Sequence, residues 1–244
     1  VSTMLKIVNT EWKLFLREPS MVVFAILFPT ILLLVLGAIP ALRTPDPQFG
    51  NLRFIDAYVS TLVVIALAFL GLNKLPATVA TYREKGVLRR FSTTPVHPAR
   101  LLIAQVVVNV IAGATSLVLL MLVCRLVFDI DLPHHPVGFL VTCLLGMLSL
   151  SALGLLIAAW APNARSAGGW ATVVFMLVMF FGGAYLPRFL MPEFLIRVGE
   201  YLPPGVEALQ ESWLGVAPDP VQVGVPALIT LVAGTVAAKS FRWE

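Results

Sequence analysis

A chain of 244 residues that is 59% hydrophobic and 12% charged, with a mean hydropathy of +0.92, lies outside the range of soluble globular proteins and within that of polytopic membrane proteins. Its 17 Lys and Arg against 13 Asp and Glu leave a net charge of only +4. Two cysteines and three histidines supply neither a disulfide framework nor metal-ligand spacing.

The residues before Pro19 form a helix with two faces at 100° per residue. Met4, Leu5, Val8, Trp12, Phe15 and Leu16 share one side, and Lys6, Lys13 and Arg17 line up almost opposite. Such a helix is expected to lie in the cytoplasmic membrane interface, apolar face in the acyl chains and cations toward the headgroups. No cleaved signal is expected, because the first apolar run is too long and starts only after residue 20.

A spanning helix needs roughly 20 mainly apolar residues. Six segments qualify, at about 21–42, 57–80, 101–126, 137–161, 166–186 and 221–238, separated by turn chemistry such as "RTPDP", "DLPHHP", "APNAR" and "APDP". Alternation over strand-length segments is missing, which argues against a barrel. Backbone groups in lipid must be bonded internally, so the fold class expected is all-α, with six transmembrane helices. Cys124 and Cys143 fall inside spans and read as buried packing thiols. His134 and His135 beside Asp131 read as a polar turn.

Between the second and third spans lies "TYREKGVLRRFSTTPVHPAR". Placed on one helix, Tyr82 to Phe91 spreads Arg83, Lys85, Arg89 and Arg90 over a wide polar side. Val87, Leu88 and Phe91 form an apolar patch with Glu84 in its middle. A plain topology signal needs only scattered cations. A docked cytosolic protein would also account for the patch and for the acid within it, since a buried charge is costly unless paired. Both readings stand at this point. Gly86 is either a close-approach point or a tolerated helix glycine, and Pro95 and Pro98 end the segment.

After the fifth span, Tyr185 to Pro220 is too apolar for an ordinary loop (Phe189, Leu190, Phe194, Trp213) and too often broken by Pro187, Pro192, Pro203 and Pro204 to span. Two short helices dipping into or lying on the outer leaflet are expected. With a cytoplasmic N-terminus, twelve of the 17 cations fall inside and nine of the 13 acids outside, which predicts both termini cytoplasmic. This asymmetry explains the basic balance without a nucleic-acid partner.

The cores of the spans hold no ionisable group, with Lys74 and Arg125 near span ends, where they can snorkel. That argues against an ion-coupled transporter. Asn73, Gln105 and Asn109 are the notable polar groups within spans, either facing a cavity or making interhelical hydrogen bonds. Phe175, Met176, Met179, Phe180 and Tyr185 give the fifth span a soft aromatic surface, for apolar cargo or for packing. Gly182 and Gly183 are a hinge or a close helix contact. No phosphate loop or catalytic cluster appears, so the chain is not expected to be an enzyme.

An interfacial helix, six spans, "YREKGVLRRFSTTPV" and "GGAYLPRFLMPEFLIRVGEYLPPGVEAL" together resemble the ABC-2 type export permeases, whose fold the eukaryotic ABCG-type half-transporters share. The resemblance covers essentially the whole chain and implies a single transmembrane domain, 1–244. Within it, 1–19 would be a connecting helix carrying Trp12, Lys13 and Arg17. Residues 82–98 would be the coupling segment and 187–220 an outer gate. It implies a separate ABC ATPase subunit that binds ATP and Mg, two ATPases and two permeases per working unit, and no cofactor in this chain. By position, Arg83, Glu84, Gly86, Leu88, Arg89 and Arg90 would transmit motion from the ATPase. Spans two and five would line a substrate pathway with Asn73, Phe175, Met179 and Phe180. Export of an amphipathic or lipid-like cargo from a bacterial plasma membrane is the function implied. An oligomeric channel or scaffold, its basic segment bound to anionic lipid, is the alternative.

Overall fold

The computed structural model describes residues 3–46, 52–92, 99–186 and 191–240. It is an all-helical bundle. A leading helix α1 (Thr3–Leu16) is followed by α2 (Pro19–Gly37), α3 (Phe54–Glu84), a short α4 (Val87–Ser92), α5 (Ala99–Val127), α6 (Pro136–Trp160) and α7 (Ala164–Phe181). Two small helices, α8 (Glu193–Glu200) and α9 (Val206–Leu214), precede the last, α10 (Pro220–Ser240). A two-residue antiparallel pairing, β1 (Pro45–Asp46) with β2 (Leu52–Arg53), closes the α2–α3 connection. Helices α2, α3, α5, α6, α7 and α10 are each long and apolar enough to cross a membrane, matching the six expected segments.

Helix α3 is the axis of the bundle, with most of its apolar residues from Ile55 to Val79 buried against the others. At 1.5 Å per residue its 31 residues run about 46 Å, while a hydrocarbon core is about 30 Å thick. It is therefore longer than that layer is thick, and its last turns carry the polar Tyr82, Arg83 and Glu84.

Prolines shape two of the spans. Pro29 and Pro76 lack the N–H that a helix interior uses, and each is preceded by a wide π turn, Val23–Leu27 in α2 and Phe69–Lys74 in α3. The two π segments meet through stacked Phe24 and Phe69 rings, 5.7 Å between centroids. Helix α5 serves both: Ser116 Oγ donates to the Ile26 carbonyl at 3.1 Å and Asn109 Nδ2 to the Leu70 carbonyl at 3.2 Å. Irregular backbone at membrane depth is thus satisfied from within the protein.

Close packing of α3 on α6 depends on glycine. A Cβ on Gly71 would sit 2.7 Å from Leu150 Cβ, and one on Gly154 would overlap the Gly71 carbonyl oxygen. Backbone cannot step aside as a flexible side chain can. Gly154→Ala is therefore expected to cost about 1–3 kcal/mol, read as a lowered melting temperature in detergent.

The remaining loops follow local chemistry. His135 Nδ1 accepts the Gly138 N–H at 3.1 Å and caps α6, while Asn163 Oδ1 accepts the Ser166 N–H at 2.8 Å and caps α7. Gly182 closes on Val64 and its carbonyl accepts from Thr61 Oγ1 at 3.1 Å, so of the two readings it makes a close contact. Gly183, at φ +79°, ends the helix. Cys124 and Cys143 are both buried in the core.

Two expectations change. Tyr82 to Phe91 is not one helix, because Gly86 takes φ +66° and separates α3 from α4. Leu88 consequently turns inward, 1% exposed, and packs with Leu75, Val79 and Leu101 instead of presenting itself. The leading helix also packs only part of its expected apolar face inward, and adds an acid to it. Glu11 and Phe15 are buried and Val8 and Trp12 half-buried, while Leu5 and Leu16 point out. Pro95, Pro98, Pro187, Phe189, Leu190 and the Phe91 side chain lie outside the described residues.

Candidate functional site

Two consecutive side chains at the end of α3 hold the turn between α6 and α7. Arg83 donates through Nη1 to the Ala158 carbonyl at 2.9 Å and through Nη2 to the Ala161 carbonyl. Glu84 Oε1 accepts the Ala164 N–H at 2.7 Å. The cation thus meets the orphan carbonyls at the C-terminus of α6, and the anion meets the orphan N–H groups at the N-terminus of α7. Each charge faces the helix end whose dipole favours it. This answers why one glutamate stands among the cations. Its partner is a helix terminus of the same chain, 80 residues on.

Just beyond, Lys85, Arg89 and Arg90 are exposed, on either side of Gly86. Val87 is half-buried against the cluster that holds Leu88. The exposed surface of the segment is therefore its basic side.

A second constellation lies beneath α1. Glu11 Oε2 accepts from the Tyr82 hydroxyl at 2.8 Å and from Gln105 Nε2. Lys74 Nζ donates to Asn109 Oδ1 at 2.9 Å and lies over the Phe15 ring, 4.7 Å from its centroid. Lys74 is 4% exposed and Glu11 7%. Lysine here does not snorkel. The π turn swings it inward, where an amide, a ring face and the attraction of Glu11 substitute for water. Burial pushes the Glu11 carboxyl above the ordinary carboxylate range, and the Tyr82 hydroxyl, the Lys74 charge and the Gln105 amide oppose that rise without cancelling it. Gln105 and Asn109 are thus interhelical hydrogen-bonding groups, the second of their two readings.

The other expected positions are spread out. Lys13 and Arg17 sit on the outward side of α1 and its end, both exposed, with Trp12 half-buried against Phe15 at 5.5 Å between rings. Asn73, Phe175 and Phe180 are half-exposed, whereas Met179 is buried in the core. On α7 the outward side chains are Trp170, Val173, Met176 and Leu177. Glu11 and Lys74 were the residues that sequence reading passed over as functional. The signal available was an acid in an otherwise apolar helical stripe, Met4–Val8–Glu11–Phe15.

A bundle of six helices able to cross a membrane, the longest of which clamps the turn between two others, is the architecture of a multi-pass membrane protein. The sequence agrees: the ABC-2 type transporter family matches residues 4–209, and the chain belongs to that family. It is also 23% identical over 194 residues to "Putative transport permease YvfS" of Bacillus subtilis (strain 168), covering 79% of this chain and 77% of that protein.

Proposed function

We propose that this transmembrane transporter subunit is the permease of an ATP-driven exporter. In this reading two copies, or one copy and a similar chain, work with two separate ATPase subunits that bind ATP and Mg. The observation that carries it is the Arg83–Glu84 clamp. A cytosolic protein pushing on the exposed basic side of Lys85, Arg89 and Arg90 would move α3 and the α6–α7 turn as one piece. Both termini and the clamp lie on the cytoplasmic side of the plasma membrane, and α8 and α9 on the outer side. ATPase closure then rocks the spans between inward- and outward-open states. Because a partner shifts an equilibrium only by differential affinity, the basic segment must contact the ATP-bound and free motors differently. The outward side chains of α7 suit the second copy, and an amphipathic or lipid-like cargo suits a path of Met and aromatic groups.

Native mass spectrometry of the complex, extracted from its own membranes in mild detergent, tests this. Two permeases with two ATP-binding subunits is the expected assembly. Arg89→Glu with Arg90→Glu should strip the ATPases while leaving the permeases inserted. A homo-oligomer without an ATPase, even after cross-linking in the membrane, would replace this reading with a lipid-bound channel or scaffold.

A further inference from the structure

We propose that the end of the bundle opposite the clamp carries a binding site for a small organic ammonium group. A cavity of about 180 Å³ opens there between the start of α3, the α5–α6 loop and α9. It is below the size of pockets that take drug-sized ligands, and so fits a headgroup or a small solute. The proposal does not depend on an ATPase partner.

The chemistry of the lining selects the sign of the ligand. Arg53 sits at the cavity, but its guanidinium is already engaged. Nε and Nη2 each bond the Asp56 carboxylate at 2.8 Å, Nη1 bonds the Phe128 carbonyl at 3.0 Å, and Nη2 reaches the Asp129 carbonyl at 3.4 Å. Little donor capacity remains for an anion. Three carboxylates, Asp56, Asp129 and Asp131, line the cavity against two guanidiniums, Arg53 and the neighbouring Arg125, which leaves one negative charge in excess. Arg125 pairs with the two rim carboxylates at 2.9 and 3.4 Å, in an exposed position where such pairs are weak, and Arg53 attracts both at longer range.

Independent of these acids, Ser60 lines the same cavity and is 5% exposed, and among the described residues its hydroxyl has no hydrogen-bond partner. A ligand N–H that enters the cavity can hydrogen-bond it. The indole of Trp213, 7% exposed, forms an apolar wall of the kind that cations favour. A donor-rich cation with a small organic body satisfies the unpartnered hydroxyl, the excess negative charge and the aromatic wall together. It could be a free amine solute or the amine headgroup of a phospholipid.

Binding of radiolabelled ethanolamine to the intact protein in phosphatidylglycerol nanodiscs tests the proposal. Saturable binding at one site per chain is expected, unaffected by acetate, and weakened about tenfold by Ser60→Val. Asp131→Asn, on the exposed rim, should weaken it less and without risk to folding. Ser60→Val decides if it elutes as wild type does, and Asp131→Asn decides otherwise. Native mass spectrometry from phosphatidylethanolamine membranes separates the sources. A lipid adduct lost in the deciding variant assigns the headgroup, and ethanolamine binding without that adduct assigns the solute. Absence of both, or unchanged binding in the deciding variant, overturns the proposal.

Discussion

Replacing Glu11 with alanine is expected to destabilise the protein by about 3 kcal/mol or more, and replacing it with glutamine by clearly less. Alanine removes the acceptor for Tyr82 and Gln105 and leaves the Lys74 ammonium buried with only Asn109 and the Phe15 ring. Glutamine keeps a carbonyl oxygen for Tyr82 while deleting the charge. Adding Lys74→Met to Glu11→Ala should restore part of the loss, because the uncompensated ammonium goes with it. Thermal unfolding of wild type, Glu11→Ala, Lys74→Met and the double variant in one detergent gives the coupling directly, and additive losses would deny that these two charges stabilise each other.

The same carboxyl predicts a pH dependence of known sign. Its folded-state pKa is raised above the ordinary 4.5, so between the two values the folded protein holds a proton that the unfolded chain has released. Stability from this group is full below the unfolded value and is lost as pH rises through the folded one. The wild-type melting temperature should therefore fall across that window relative to Glu11→Gln, in which the difference disappears.

The second large effect concerns motion. In the complex proposed above, Arg83→Ala with Glu84→Gln is expected to leave the ATPases bound but to abolish the response of the far end of the bundle to nucleotide. Without the guanidinium, the Ala158 and Ala161 carbonyls lose their cation, and the neutral amide holds the α7 terminus less tightly. Spin labels at Tyr201, exposed at the end of α8 in each copy, read the outcome as an inter-label distance with and without ATP. A nucleotide-dependent change of wild-type size in the double variant would remove the clamp from the mechanism.

The spans were legible because a run of apolar residues long enough to cross a membrane is a direct, local signal. The six helices start and end within a few residues of the runs that announce them. What could not be read locally was the direction of a side chain whose partner lies far off in sequence. A lysine near a span end looks the same whether it snorkels or turns inward, and Asn109, which decides it, is 35 residues away. Glu84 was misplaced for a related reason. Continuing one helical wheel through Gly86 put the acid among Val87, Leu88 and Phe91, whereas the left-handed glycine resets the angle between the two helices. The π turn at Phe69–Lys74 has a sequence cue in Pro76, but the extra residue in the turn changes which side chains face in.

Ser116 and Asn109 stand seven residues apart on α5, about 10 Å along its axis, and each steadies a different proline-weakened point in a neighbouring helix. Mechanically, α5 is a splint and α2 and α3 are jointed rods whose joints sit at different heights. Among the described residues, the α2 joint is secured from the splint by one side-chain hydrogen bond, at Ser116, and the α3 joint by two, both at Asn109, bonds worth about 1 kcal/mol each in a membrane. In the exporter proposed above, staggered joints would let the two rods bend out of phase, so that the bundle would shear open at one end while its middle stayed closed.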